Sequence, residues 1–124
     1  MLFRSIAAYR GANPMVGPYA ASKAGVVSLT RTAAQALTRR RITSNCICPG
    51  AVDTAMWQQI DKEWGALRDW PVGEAWKRRT AHIPLGRPER PEDLVGLVVF
   101  LASGESDYMT GQAVNLDGGL VMGN

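Results

Sequence analysis

The chain has 124 residues, a formal net charge of +3 and 46% hydrophobic residues, a composition typical of one globular domain spanning 1–124. No segment approaches the length of a membrane-spanning helix and no basic-then-apolar leader opens the chain, so we expect a cytoplasmic protein without a membrane partner. The positive charge is mild and is densest at Arg39–Arg41. Arginines at a helix end complement the helix dipole, and no recognised binding motif accompanies them, so we expect no nucleic-acid partner.

The first half of the chain predicts a strand, a loop, a long helix and a second strand. Leu2–Ile6 is short and apolar, as in a buried strand, and residues 9–18 contain the glycines, prolines and asparagine of a loop. A helix is predicted from Tyr19 to about Arg40, because alanine, leucine, glutamine and arginine dominate this stretch. Ser44–Cys48 is then a strand that Pro49-Gly50 terminates.

The second half predicts one more helix and one more strand. Pro91 stands at the start of a helix over Glu92–Ala102, which has a broad apolar face. Gln112–Leu116 is a last short strand, and Asp117-Gly118-Gly119 turns the chain. The order strand–helix–strand–helix–strand favours an α/β fold whose parallel strands are joined by right-handed helical crossovers.

A long insertion, residues 55–90, separates the second strand from the second helix. It carries all four tryptophans: Trp57, Trp64, Trp70 and Trp76. Trp57 and Trp64 are seven residues apart and would share one face of a helix. The tryptophans either form the core of a short helical excursion or make an apolar lid over a pocket, because long insertions often cover active sites. The sequence leaves both interpretations open.

The two cysteines and the single histidine do not indicate a metal site. Cys46 and Cys48 alternate along one strand, and their C-x-C spacing lacks the second pair of ligands that zinc requires. Buried, reduced thiols are expected instead. His82 lies in a stretch rich in prolines and arginines and is expected at the surface, so no metal cofactor is predicted.

Tyr19 and Lys23 are the residues that point most directly to chemistry. In a helix, a spacing of four places the phenol and the ammonium on one face, one turn apart. A tyrosine hydroxyl has an ordinary pKa of about 10, and a neighbouring cation favours its ionised form, so such a pair can serve as an acid/base. The alternative is a half-buried tyrosine beside a solvated lysine.

Further motifs along the chain add to this pair. They are Tyr19-Ala20-Ala21-Ser22-Lys23-Ala24-Gly25, Asn45-Cys46-Ile47-Cys48-Pro49-Gly50, Val52-Asp53-Thr54, Ile83-Pro84-Leu85-Gly86-Arg87, Pro91-Glu92-Asp93-Leu94, and Thr110-Gly111-Gln112 leading to Asp117-Gly118-Gly119. In order and in spacing, this set resembles the short-chain dehydrogenases/reductases over almost the whole chain.

The resemblance implies an oxidoreductase that reduces carbonyls or oxidises alcohols with NAD or NADP. Tyr19 would be the general acid/base, Lys23 would lower its pKa and bind the nicotinamide ribose, and Ser5 would hold the substrate oxygen. The residues that resemble the segment lining the nicotinamide are Pro49, Gly50, Val52 and Thr54. The implied partner is a small-molecule carbonyl or alcohol, and the family's pairing of helices between subunits implies a homodimer or homotetramer.

The matched motifs are those of the family's C-terminal, catalytic half, so the resemblance implies a truncated Rossmann-like three-layer unit. The glycine-rich turn that meets the pyrophosphate at a helix N-terminus is absent from this sequence, and so is the asparagine of the family's catalytic tetrad. We therefore expect weak cofactor binding, and a non-catalytic or repurposed module is the alternative to an enzyme. Arg41 stands where the family has a glycine that caps a helix, a position that often needs a positive φ.

Overall fold

Among the residues that the structure describes, three parallel strands form one sheet. The structure is a computed structural model that describes residues 2–3 and 16–122. Strands β1 (Leu2–Phe3), β2 (Cys46–Pro49) and β3 (Ala113–Leu116) lie in the order β1-β2-β3. Leu2 pairs with Cys46, and Cys46 pairs in turn with Ala113, in parallel register. The predicted α/β fold with a parallel sheet is confirmed, and residues 4–6 of the predicted first strand lie outside the described residues.

Both later strands begin one or two residues after their predicted starts, at a point where the Asn45 side chain forms hydrogen bonds with backbone groups. Its Nδ2 donates to the Met109 carbonyl (2.7 Å), and its Oδ1 accepts from the Gln112 N–H (3.1 Å). The Ser44 N–H donates to Thr110 Oγ1 at 3.0 Å. Backbone bonds remain beside these contacts, because the Gly111 N–H donates to the Ser44 carbonyl (2.7 Å) and the Cys46 N–H donates to the Gln112 carbonyl (2.9 Å). Regular pairing of β2 nevertheless begins at Cys46 rather than at Ser44, and that of β3 begins one residue after Gln112.

Helix α1 spans Gly17–Leu37 and ends in a 3₁₀ turn, Thr38–Arg40. It begins two residues before the predicted Tyr19, so the predicted loop over 9–18 is wrong for residues 17 and 18. Proline fits the first turn because the N–H it lacks would have no partner there. Arg41 ends the helix with φ 57°, and its N–H donates to the Thr38 carbonyl. The backbone position expected to need a positive φ therefore has one.

Helix α1 packs against β1 and β2 through one face. The buried residues of this face are Ala20, Val27, Thr30 and Ala34. Thr30 is fully buried, and its hydroxyl donates to the Val26 carbonyl one turn earlier (2.8 Å), which satisfies the polar group within the helix. On the strand side, Cys46, Ile47 and Cys48 are all fully buried. The cysteines are free thiols, as predicted.

The tryptophan-rich insertion contains two helices, α2 (Ala55–Arg68) and α3 (Glu74–Thr80), rather than one short excursion. Trp57 lies 6.4 Å from Trp64, edge to face, and 5.2 Å from Trp76, measured between ring centroids. Asp61 of α2 is buried, and its carboxylate accepts hydrogen bonds from the N–H groups of Gly73 and Trp76. The aromatic contacts and this carboxylate together join α2 to the N-terminus of α3.

The last helix, α4, spans Val95–Ala102 and follows a 3₁₀ turn, Pro91–Leu94, so the predicted helix begins as 3₁₀. Although α4 is composed almost entirely of apolar residues, none of its residues is buried. His82 is exposed, as predicted. Among the described residues, no helix is long and apolar enough to cross a membrane, and no three His, Cys, Asp or Glu side chains cluster as metal ligands would.

Candidate active site

The structure brings Tyr19 and Lys23 together in the first two turns of α1. The Lys23 Nζ lies 5.5 Å from the centroid of the Tyr19 ring, over its face, and the ring is 42% exposed. Because the helix holds both residues one turn apart, their proximity follows from local structure alone. Tyr19 is thus accessible from solvent, and the ammonium of the predicted acid/base pair lies over its ring. Ser5, the third predicted member of the set, lies outside the described residues.

The sheet topology places this pair and the end of β2 at the same edge. In a parallel sheet, the helix that follows a strand starts near that strand's carboxyl end, and all carboxyl ends share one edge. Tyr19 lies in the first turn of the helix that follows β1, and Pro49 is the last residue of β2. This topology predicts that the two parts of the site lie on the same side of the sheet.

Gly50 follows β2 at a point where the backbone lies close to Asp117, the residue that follows β3. A Cβ at this position would lie 2.9 Å from the Asp117 Cα and 3.2 Å from its carbonyl oxygen. The Gly50 N–H donates both to the Leu116 carbonyl (3.0 Å) and to Glu89 Oε2 (2.8 Å). Only a glycine fits between these groups without displacing backbone.

Val52 and Thr54 follow Gly50 in an extended segment. Val52 forms an isolated parallel bridge with Glu89, and Thr54 is the N-cap of α2 with an extended backbone (φ −145°, ψ 162°). Threonine at an N-cap usually accepts a hydrogen bond from the helix. The Thr54 side chain makes no such capping bond, so its hydroxyl is not used to start α2.

Sequence reasoning missed Glu89, which is only 9% exposed and lies between the ends of β2 and β3. Burial raises the pKa of Glu89 to about 7, against the opposing effect of the Gly50 N–H. Nearby, the Arg87 guanidinium pairs with both oxygens of Asp93 (2.6 and 2.8 Å) and holds the pKa of that carboxyl well below its usual range. No local pattern in the sequence distinguishes Glu89 from its charged neighbours, because the groups around it, such as Gly50 and Asp117, follow β2 and β3 and are distant in sequence.

Two cavities adjoin this region. The smaller, about 160 Å³, lies beside Glu89 and is lined on its apolar side by Ala51, Ile83 and Leu116. The larger, about 350 Å³, lies between α2 and α3, where Trp57 and Trp76 face Asp53 and Lys62. Asp53 directly precedes the N-cap of α2, so the larger cavity opens next to the segment that follows β2.

Comparison with known proteins identifies the family. A family model described as enoyl-(acyl carrier protein) reductase matches residues 1–121. The L-2,3-butanediol dehydrogenase of Corynebacterium glutamicum is 46% identical over 117 residues, which cover 94% of this chain and 45% of that enzyme. The chain belongs to the short-chain dehydrogenase/reductase family, and it spans about half the length of the curated relatives it matches.

Solved structures agree with this assignment. A short chain dehydrogenase family protein from Francisella tularensis superposes with a TM-score of 0.84 at 30% identity, over 96% of this chain and 49% of that one. An actinorhodin polyketide ketoreductase solved with NADPH superposes with a TM-score of 0.85 at 33% identity, over 95% of this chain and 45% of that one. The predicted Rossmann-like fold is confirmed.

Proposed function

We propose that this chain carries the catalytic side of a nicotinamide-dependent oxidoreductase that reduces a carbonyl or oxidises an alcohol. The observation that carries the proposal is the Tyr19–Lys23 pair, held one turn apart with the ring exposed, in a chain of this family. Solved relatives that contain NADPH support NAD or NADP as the cofactor.

In the reduction direction, the Tyr19 hydroxyl would donate a proton to the substrate's carbonyl oxygen. The bound cofactor supplies the hydride. Lys23 would stabilise the phenolate left on Tyr19 and bind the nicotinamide ribose, and Ser5 would hold the substrate oxygen. In the oxidation direction, Tyr19 accepts the proton from the alcohol.

The segment after β2 fits the nicotinamide side of the cofactor. The missing Cβ of Gly50 lets this segment lie against the Asp117 backbone, and Thr54 keeps its hydroxyl out of the helix cap, where it could meet a ligand. Together with Pro49 and Val52, these residues would line the nicotinamide, with Thr54 as a hydrogen-bonding partner of its carboxamide. The sequence contains no glycine-rich turn for the pyrophosphate, so we propose that the isolated chain binds the cofactor weakly.

The insertion over 55–90 is proposed to cover the substrate. The cavity between α2 and α3 is lined by two tryptophans, Trp57 and Trp76, together with charged residues that include Asp53 and Lys62, a combination that suits a small polar substrate. The contacts of Trp57 with Trp64 and with Trp76 support the other interpretation as well, in which these tryptophans pack the insertion. The two interpretations are compatible, because a lid must itself be packed.

The assembly is proposed to be a homo-oligomer, dimer or tetramer, acting in the cytoplasm on a small molecule. The apolar helix α4 supports association, since Val95 and Val99 are 57% and 61% exposed. The alternative is a repurposed module without catalysis. It differs from the enzyme in binding neither NADH nor NADPH.

The test is the replacement of Tyr19 by phenylalanine, which keeps the ring and removes the proton-bearing oxygen. The assay substrate is diacetyl, because a relative from Staphylococcus epidermidis that is 46% identical over 108 residues is a diacetyl reductase. Its turnover with NADH or NADPH should fall by at least ~10²-fold, as for a lost general acid. Tyr108→Phe is the matched control, because Tyr108 is fully exposed and should leave turnover unchanged. Equal turnover of Tyr19→Phe and the wild type would remove the phenol from the mechanism. A wild-type chain that binds neither cofactor would establish the alternative.

A further inference from the structure

Glu89 makes three hydrogen bonds to the segment that follows β2. Its Oε2 accepts from the Gly50 N–H at 2.8 Å, and its carbonyl accepts from the Asp53 N–H at 2.8 Å. Its own N–H donates to the Ala51 carbonyl at 3.0 Å. One residue, 36 or more positions away in sequence, therefore holds three peptide groups of this segment. Two of these bonds are made by the Glu89 backbone and do not involve its side chain, whereas the bond to Gly50 does.

The second carboxyl oxygen, Oε1, is buried and has no hydrogen-bond partner among the described residues. A buried ionised carboxylate with an unpaired oxygen is costly, because neither water nor a protein donor replaces its lost hydration. The oxygen is sealed from solvent, so the adjoining cavity does not provide that water. Burial therefore favours the neutral carboxyl, because an unpaired O–H costs less to bury than an unpaired charge.

The charges around Glu89 also favour the neutral carboxyl. Asp117, at the end of β3, and Asp93, in the 3₁₀ turn before α4, are acidic and raise its pKa, although burial is the larger cause. Arg87 is the opposing cation, but its guanidinium is held by both oxygens of Asp93. Asp117 is itself committed to the N–H groups of Gly119 and Val121 and offers Glu89 no donor.

We propose that Glu89 is a positioning residue of the active site: its neutral side chain holds the Gly50 peptide and so the nicotinamide-facing segment, and ionisation loosens that contact. Ionisation requires Oε1 to be hydrated, and hydration requires Glu89 to move away from the strand ends. The inference rests on the proposed function, because the importance of the segment depends on its facing the nicotinamide.

The first experiment follows the Gly50 amide signal of the ¹⁵N-glycine-labelled chain by NMR between pH 5 and 8.5, without cofactor. The wild-type signal should titrate with a midpoint near 7, and Glu89→Gln, which keeps an acceptor and cannot ionise, should abolish the titration. Glu92→Gln is the control for an exposed glutamate. His82→Gln is the control for the single histidine of the chain. Neither control should alter the Gly50 titration.

The second readout is thermal stability. The pKa of Glu89 in the folded chain lies above the usual 4.5, so the folded state binds this proton more tightly than the unfolded state. Stability should therefore fall as the pH rises from about 4.5 to 7 and level off above it. The Tm of Glu89→Gln, relative to the wild type, should be higher at pH 8 than at pH 5.

The third readout is cofactor affinity at pH 6, measured by NADPH fluorescence. Glu89→Gln should bind within about twofold of the wild type, whereas Glu89→Leu should bind at least about fivefold more weakly. A Gly50 signal that does not titrate in the wild type, or a titration that persists in Glu89→Gln, would overturn the proposal. Equal NADPH affinity of Glu89→Leu and Glu89→Gln would overturn it too. If no variant binds NADPH, the proposed function fails, and the amide titration still decides whether Glu89 holds Gly50.

Discussion

Replacing Gly50 with alanine tests how closely the end of β2 must approach β3. The new Cβ would lie 2.9 Å from the Asp117 Cα, 3.1 Å from its Cβ and 3.2 Å from its carbonyl oxygen. Carbon atoms in contact prefer about 3.5–4.0 Å, so the two backbones would have to separate by roughly 0.6–1 Å. They resist this movement, because the Gly50 N–H is bonded to Leu116 and the Asp117 carboxylate is bonded to the turn that follows it.

Overpacking of this kind costs about 1–3 kcal/mol of the free energy of unfolding. In a chain of 124 residues, each kcal/mol corresponds to roughly 3–5 °C in Tm. The assay is equilibrium urea unfolding, followed by circular dichroism, with the thermal midpoint as a second measure. Gly50→Ala should lower both midpoints without changing the dependence of the free energy on urea concentration.

Gly25→Ala is the matched control. Gly25 lies within α1, and a Cβ there would meet no atom within 4 Å. Alanine in a helix interior is favoured over glycine by about 0.5–1 kcal/mol, so this variant should be more stable than the wild type. The same chemical change is thus expected to have opposite signs at the two positions. A Gly50→Ala chain as stable as the wild type would show that the strand ends separate freely and would refute the reasoning.

Three further predictions concern the insertion, the cofactor and the assembly. Asp61→Asn removes the carboxylate that accepts hydrogen bonds from Gly73 and Trp76, so it should loosen the junction of α2 and α3. The tryptophan emission should then shift to the red, and unchanged emission would contradict this. The isolated chain should bind NADH and NADPH with dissociation constants well above micromolar, and micromolar binding in calorimetry would instead indicate a phosphate site not recognised here. The chain should not be a monomer, because α4 exposes Val95 and Val99, and a monodisperse monomer in light scattering at micromolar concentration would refute this.

Local interactions explain the parts of the fold that were predictable from sequence. The Tyr19–Lys23 contact needs only a helix and a spacing of four, and the positive φ at Arg41 needs only the end of that helix. The alternation of apolar strands and helices similarly predicts a parallel sheet, because few other topologies bury such strands. The end of β2, and with it Pro49 and Gly50, could be placed from a single Pro-Gly pair.

Predictions were wrong or incomplete where side chains distant in sequence compete for backbone groups. β2 does not start at Ser44, because Asn45 bonds to Met109 and Gln112, more than 60 residues later. The insertion became two helices joined through Asp61, whose partners lie 12 and 15 residues further on. Neither aspartate nor asparagine carries a local signal for such a role.

The sequence by itself determined that a phenol and an ammonium lie side by side on one helix, since that contact is made within a single turn. Only the tertiary structure decided that Glu89 bonds to Gly50, and that one oxygen of its buried carboxyl has no partner among the described residues. The physical reason is that the pKa and the hydrogen bonds of an ionisable side chain depend on the groups around it. Around Glu89 these groups include Gly50, which follows β2, and Asp117, which follows β3, and both are distant from it in sequence.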